Sequence, residues 1–166
     1  MTESTTGGEP GAFAGRSINQ ITVMLGSVPV ELARLLEGKS PDDLMQPAQD
    51  GRWGIVEIAP HFRDWEAIVA DRVRRILTEQ TPDLEEHDDS LWAIEHDYRS
   101  QDPREAVAGF GALRGALVTT MSTRPPADWS RAARLPKRGI ITLHRLLDTV
   151  CDHDAKHLMQ ARDVLT

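Results

Sequence analysis

Cysteine is nearly absent, with one residue among 166. A disulfide framework is therefore excluded, and so is a zinc module built on thiolates. Aromatic residues are scarce at 5%, and no segment sustains period-two alternation, so the signals of an all-β domain are missing. Long apolar runs are missing too. Nothing approaches the ~18 consecutive apolar residues of a membrane span, and Met1 to Gly8 carry neither a basic nor an apolar leader region, so the expectation is a cytoplasmic protein with no membrane partner. Basic charge is in deficit: 19 Lys and Arg against 26 Asp and Glu leave a formal charge of -7. Phosphate neutralisation needs a concentrated basic face, which argues against nucleic acid and for a small-molecule substrate.

What the chain does have is six histidines and a 40% apolar content, enough for one core without cross-links. Residues 1–16, rich in Gly, Thr, Ser and Glu, bury too little to offset ordering entropy and read as a disordered tail, leaving 17–166 as a single domain. Ser17 is a plausible cap for a helical stripe through Ile18, Ile21, Leu25, Val28, Leu32 and Leu36, with Pro29 inside it as a kink or a junction between two helices. A second stripe runs from Ile55 to Leu77. Residues 83–89 read as an acidic, solvated linker, and Trp92–Tyr98 as a short helical turn. Asp102-Pro103 opens a third helix reaching Met121. Residues 122–139 read as a long structured loop, and a last helix is expected from about Ile140 to Leu165. Four helices of this length predict an all-α four-helix bundle with long loops.

The histidines carry the chemistry. His153 and His157, four apart on the last helix, share one face about 6 Å apart, and that face includes Leu146, Val150 and Ala161, so it points inward. His61 lies between Ile58 and Trp65 on the inward stripe of the second helix. Three inward imidazoles from two helices can hold a transition metal with positions left open. The spacing H-x-x-x-H also arises by chance, so the residues alone leave a metal site and an incidental pair as open readings. Asp152 and Asp154 bracket His153, and Glu57 and Asp64 flank His61, where they can accept the second imidazole N–H. His144, about 180° from His153 in helical phase, is set aside with His87 and His96. Cys151 faces away from the ligand side and reads as an inert buried thiol. The four tryptophans read as packing anchors, Trp65 being the one placed near His61.

The segment Gly51-Arg-Trp-Gly-Ile-Val-Glu-Ile-Ala-Pro-His61-Phe-Arg-Asp64-Trp-Glu66 resembles the tryptophan-then-histidine helix of the DinB-like (YfiT-like) superfamily. So do Ala127-Asp-Trp129, Gly139-Ile-Ile-Thr142 and Asp152-His153-Asp-Ala-Lys-His157-Leu-Met-Gln160, and the likeness extends over about residues 18–165. The resemblance implies a bundle, usually a homodimer, with zinc or nickel held by His61, His153 and His157. It also implies transferase or isomerase chemistry with a low-molecular-weight thiol such as mycothiol, bacillithiol or glutathione. Two positions depart from the pattern. Pro60 precedes His61 and can kink the ligand's helix, and Gly54 stands where a polar cap is usual.

The leading expectation is therefore a thiol transferase whose cation lowers the pKa of a thiol cosubstrate, with Arg131, Arg134, Lys137 and Arg138 available to hold an anionic group. One alternative is a non-catalytic metal-binding stress or scaffold protein. Another is metal-assisted hydrolysis with Asp64, Glu57 or Asp154 as base, ranked last because no H-E-x-x-H arrangement supports it.

Overall fold

The computed structural model describes residues 14–48 and 51–166, so the expected tail lies outside the described residues up to position 13. Its last residues are anchored. Arg16 reaches Asp148 and Asp152 on the final helix, each at 2.7 Å, and its carbonyl meets His144 Nε2 at 2.7 Å. His144 thus has a hydrogen-bonded structural place, away from the other inward histidines.

The elements are α1 (Ile18–Leu35), α2 (Pro41–Met45), α3 (Ile55–Thr78), α4 (Trp92–Glu95), α5 (Pro103–Ser122), α6 (Pro126–Trp129), strands β1 (Ala132–Leu135) and β2 (Gly139–Thr142), and α7 (Leu143–Leu165). Ser17 caps α1 reciprocally with Gln20. Asp102 caps α5 ahead of Pro103, and a 3-10 turn at Tyr98–Ser100 precedes it. Helix α1 passes through Pro29 as one helix. Proline offers no N–H to the carbonyl four residues back, that of Leu25, and Arg114 Nη1 on α5 donates to that carbonyl instead at 3.1 Å.

The expected loop and helix start near residue 140 need correction. Residues 132–142 form an antiparallel hairpin pairing Ala133 with Ile141, turned through Gly139 at φ +71°. Ile140 to Thr142 belong to β2, and α7 starts at Leu143, capped by the Thr142 hydroxyl, which accepts from Arg145 N at 3.1 Å. Four-residue strands are too short to show alternation.

Each long helix contributes to two apolar clusters, and the order in which it does so gives its direction. Helices α1 and α7 begin in the cluster of Ile21, Leu25, Leu146 and Val150 and end in that of Leu32, Leu158 and Ala161. Helices α3 and α5 run the other way, from Ile58, Phe62 and Phe110 to Val73, Leu117 and Met121. The bundle is therefore up, down, down, up. Helices α1 and α3 each pack between α5 and α7, so α3 and α5 are parallel neighbours. Their connection, residues 79–102, must return along the bundle's length, which is why the acidic segment is long.

A polar layer separates the two clusters. Arg114, 1% exposed, forms a two-point ion pair with Glu66 of α3 at 2.7 and 2.8 Å and a second with Asp154 of α7 at 2.6 Å, in addition to the Leu25 carbonyl. One guanidinium thus touches all four long helices.

Candidate metal centre

Beside this layer the inward faces of α3 and α7 bring three imidazoles together. One ring nitrogen from each of His61, His153 and His157 lies within 4.8 Å of the others, and the Nε2 atoms of His61 and His153 are 3.2 Å apart. Two nitrogens on one zinc ion at ~2.05 Å and about 100° would be separated by that distance. Pro60 does not displace His61. Helix α3 is unbroken from Ile55 to Thr78, and His61 is buried with the other two in reach.

Protonation and orientation fit a cation. Burial, helped by the neighbouring His157 and His153, pushes His61 down to about 3, and burial with His153 nearby pushes His157 down to about 4. Both are neutral at pH 7, as a ligating imidazole must be. His157 Nδ1 lies 2.8 Å from Gln160 Oε1, an acceptor that fixes the proton on Nδ1 and turns the Nε2 lone pair inward. His153 Nδ1 faces Asp154 Oδ1 at 3.4 Å, while the other oxygen of Asp154 is held by Arg114. His61 Nδ1 is buried without a hydrogen-bond partner among the described residues.

The acids expected to orient His61 or act as bases are used elsewhere. Glu57, 2% exposed, accepts from Gly54 N at 2.7 Å and from Arg99 Nε at 2.8 Å. It therefore supplies the reach-back half of a capping box that glycine lacks the side chain to complete. Gly54 itself is needed for space, because a Cβ there would lie 2.6 Å from Gln46 O. Asp64 accepts from Arg63, His96 and Tyr98. Burial alone would raise its pKa, but these donors together hold it below the ordinary carboxylate range. Asp154 is buried against Arg114. Asp89, in the segment expected to be a solvated linker, brings a further carboxylate to the centre. Its Oδ2 is 3.7 Å from His61 Nε2, and the side chain is 42% exposed. The return of residues 79–102 along the bundle carries it there.

The basic cluster divides. Arg131 donates to the carbonyls of Ile76 and Glu79, and Arg134 pairs with Asp83. Lys137 uses its backbone N–H on Glu86. Only Arg138 of the four lines the cavity of about 240 Å³ that also contains His153 and Asp89.

The tryptophans are closer to the centre than their spacing indicated. Trp53 meets His61 edge-on with centroids 5.0 Å apart and stacks on His157 at 6.2 Å. Trp92 lies 6.3 Å from His61 and Trp65 5.9 Å from His153. Trp129 is buried in the other cluster near His144. An aromatic wall of this kind limits water and strengthens charge interactions inside it. Sequence reading missed Gln160 as an orienting group and Arg114 altogether. Both left a signal: Gln160 is one turn beyond His157, and Arg114 falls between Phe110 and Leu117 on the inward stripe of α5.

Comparison with known proteins agrees with this architecture. A family model described as the DinB superfamily matches residues 24–161. A protein of Bacillus subtilis (strain 168) named "Putative metal-dependent hydrolase YfiT" is 26% identical over 136 residues, 81% of this chain and 76% of that protein. One of Geobacillus thermodenitrificans (strain NG80-2), named "Putative metal-dependent hydrolase", is 23% identical over 122 residues, 74% of this chain and 68% of its own length. The solved structure of YfiT, reported as a four-helix bundle of unusual topology, superimposes with a TM-score of 0.82 at 24% identity and covers 95% of this chain and 92% of that one. That likeness establishes the fold as a four-helix bundle of the YfiT type. With the family model spanning most of its length, the chain belongs to the DinB superfamily.

Proposed function

We propose that the protein is a metal-dependent enzyme acting on small molecules, in which His61, His153 and His157 hold one divalent cation, zinc or nickel, and that it transfers a low-molecular-weight thiol such as mycothiol or bacillithiol to an electrophile. The observation that carries the metal is the convergence of three imidazole nitrogens within 4.8 Å, two of the rings being held neutral by burial. A bound cation supplies a Lewis acid that lowers the pKa of a thiol or a water at its open positions. The chain's own residues orient and exclude: Gln160 and Asp154 set the imidazoles, and the three tryptophans wall off solvent.

The preference for a thiol rests on what the chain does not spend there. Cys151 is buried, and burial pushes its thiol up to about 11, so it is no nucleophile. Glu57, Asp64 and Asp154 are each committed to hydrogen bonds or ion pairs. A thiol ionises near ~8.5 unaided and needs less help than water to become a nucleophile.

A second reading, hydrolysis, is favoured by Asp89, a half-exposed carboxylate at the mouth of the site, and by the names of the relatives. Metal-loaded protein assayed with a panel of thiols plus an electrophile, and in parallel with esters and amides, tests the proposal. Metal-dependent thiol consumption that survives Asp89→Asn supports transfer. Cleavage without thiol that drops about 100-fold or more in Asp89→Asn would mean a general base acts on water, and hydrolysis would replace transfer.

A further inference from the structure

Among the described residues two arginines are buried, in contrasting circumstances. Arg114 meets two carboxylates and a carbonyl, which hold it firmly charged. Arg72 on α3, only 8% exposed, has one carbonyl partner, Glu85 O at 2.7 Å. Its Nε is sealed from water with no hydrogen-bond partner, and no carboxylate lies within ion-pair distance of it, among the described residues. A guanidinium has five donors and does not lose its proton, so burying one with so little acceptor capacity is costly unless something else supplies it. Desolvation draws its pKa below the ordinary value, and the nearby Arg138 adds to this against the pull of Glu86. Arg72 is therefore short of negative charge.

The cavity beside it shows where that charge would come from. Arg72 and Arg138 line the same space of about 240 Å³ that contains His153. The Arg138 guanidinium has no hydrogen bond or ion pair among the described residues, and its residue is exposed. Trp65 joins the two ends of the space: Arg72 Cζ lies 5.5 Å from its ring centroid, and His153 lies 5.9 Å away on centroids. Val69, Leu146 and Val150 make the wall between.

Resting on the metal-dependent reading above, we infer that Arg72 and Arg138 form a carboxylate-recognition subsite for a small molecule whose apolar segment lies along Trp65 and whose reacting group reaches the three-histidine centre. A monoanion suits the space better than a phosphate. Glu86 and Asp89 line the cavity as well, and though neither pairs with the two arginines, they repel a dianion more strongly than a monoanion. A planar carboxylate can also take two guanidinium N–H groups at once.

The test uses hexanoate as the probe, with 1-hexanol as its neutral counterpart and inorganic phosphate as the competing anion, titrated calorimetrically into the full-length protein both metal-free and zinc-loaded. Hexanoate is expected to bind once per chain in both forms, and Arg138→Ala, an exposed position that spares the core, weakens it about tenfold or more, the size of one charge-assisted hydrogen bond. Arg72→Met does the same, while 1-hexanol binds equally to all three proteins. Equal hexanoate affinity in wild type and Arg138→Ala overturns the subsite, as does 1-hexanol binding as tightly as hexanoate or phosphate binding more tightly. Zinc content measured on the same samples separates this outcome from failure of the metal reading. Zinc held normally with no carboxylate preference removes only the subsite, and arginine-dependent hexanoate binding without zinc uptake removes only the metal centre.

Discussion

Single residues decide whether the interior polar layer is tolerable. Arg114 is one turn from Phe110 in a stripe that is otherwise apolar, and it offsets two buried carboxylates and the carbonyl freed by Pro29. Arg114→Met leaves Glu66 and Asp154 buried without a counter-charge, and the expected loss is about 3–5 kcal/mol, read from the shift of the urea unfolding midpoint. Gly54 gives the opposite lesson. A serine there would offer a capping hydroxyl, but its Cβ would collide with the backbone at Gln46 O, so Gly54→Ser is expected to destabilise by about 1–3 kcal/mol despite the better cap. Gln160 acts only through His157. Its replacement by alanine should leave the unfolding midpoint close to wild type while metal affinity falls about 10- to 100-fold in a competition titration with a chelator.

Among the elements, the four long helices were legible because their apolar residues recur at three and four and their ends carry Ser17, Asp102 and Pro103. The hairpin was not legible. Four residues per strand give no period, and Ile140-Ile141 extends the apolar pattern of α7 backwards, so that pattern places the helix start three residues before Leu143, where the Thr142 cap begins it. That cap is testable: Thr142→Ala should cost about 1 kcal/mol in thermal or urea unfolding. The parallel arrangement of α3 and α5 was equally hidden, since no local spacing encodes which neighbour a helix packs beside. It forces residues 79–102 back along the bundle, and Asp89 reaches the histidines for that reason alone. Charge clustering pointed to a solvated linker and could not show where the linker passes.

At the scale of the whole molecule, two apolar clusters are joined through a polar belt with the histidines beside it, and burial keeps His61 and His157 neutral. The convergence of the three histidines is legible in face and family position, as is Asp154 beside His153; Gln160 is not, and Glu57 and Asp64 are drawn off by Gly54, Arg99, His96 and Tyr98. Burial of neutral imidazoles also makes stability depend on pH. With His61 lowered to about 3 and His157 to about 4 against ~6.5 in the unfolded chain, the unfolded state binds protons that the folded state refuses as the pH falls below about 6.5. The metal-free protein should therefore lose stability between pH 7 and 5, by up to about 1.4 kcal/mol per pH unit for each of these two histidines at full effect, and His61→Gln should flatten the slope. Above pH 7 neither residue contributes to any change.

The central claim is that three imidazoles hold one cation. Calorimetric titration of zinc into chelator-treated wild type and His157→Ala, with circular dichroism confirming that both are folded, tests it directly. The account predicts one ion per chain in the wild type and at least about a 100-fold weaker affinity in the variant. Unchanged stoichiometry and affinity in His157→Ala would contradict it.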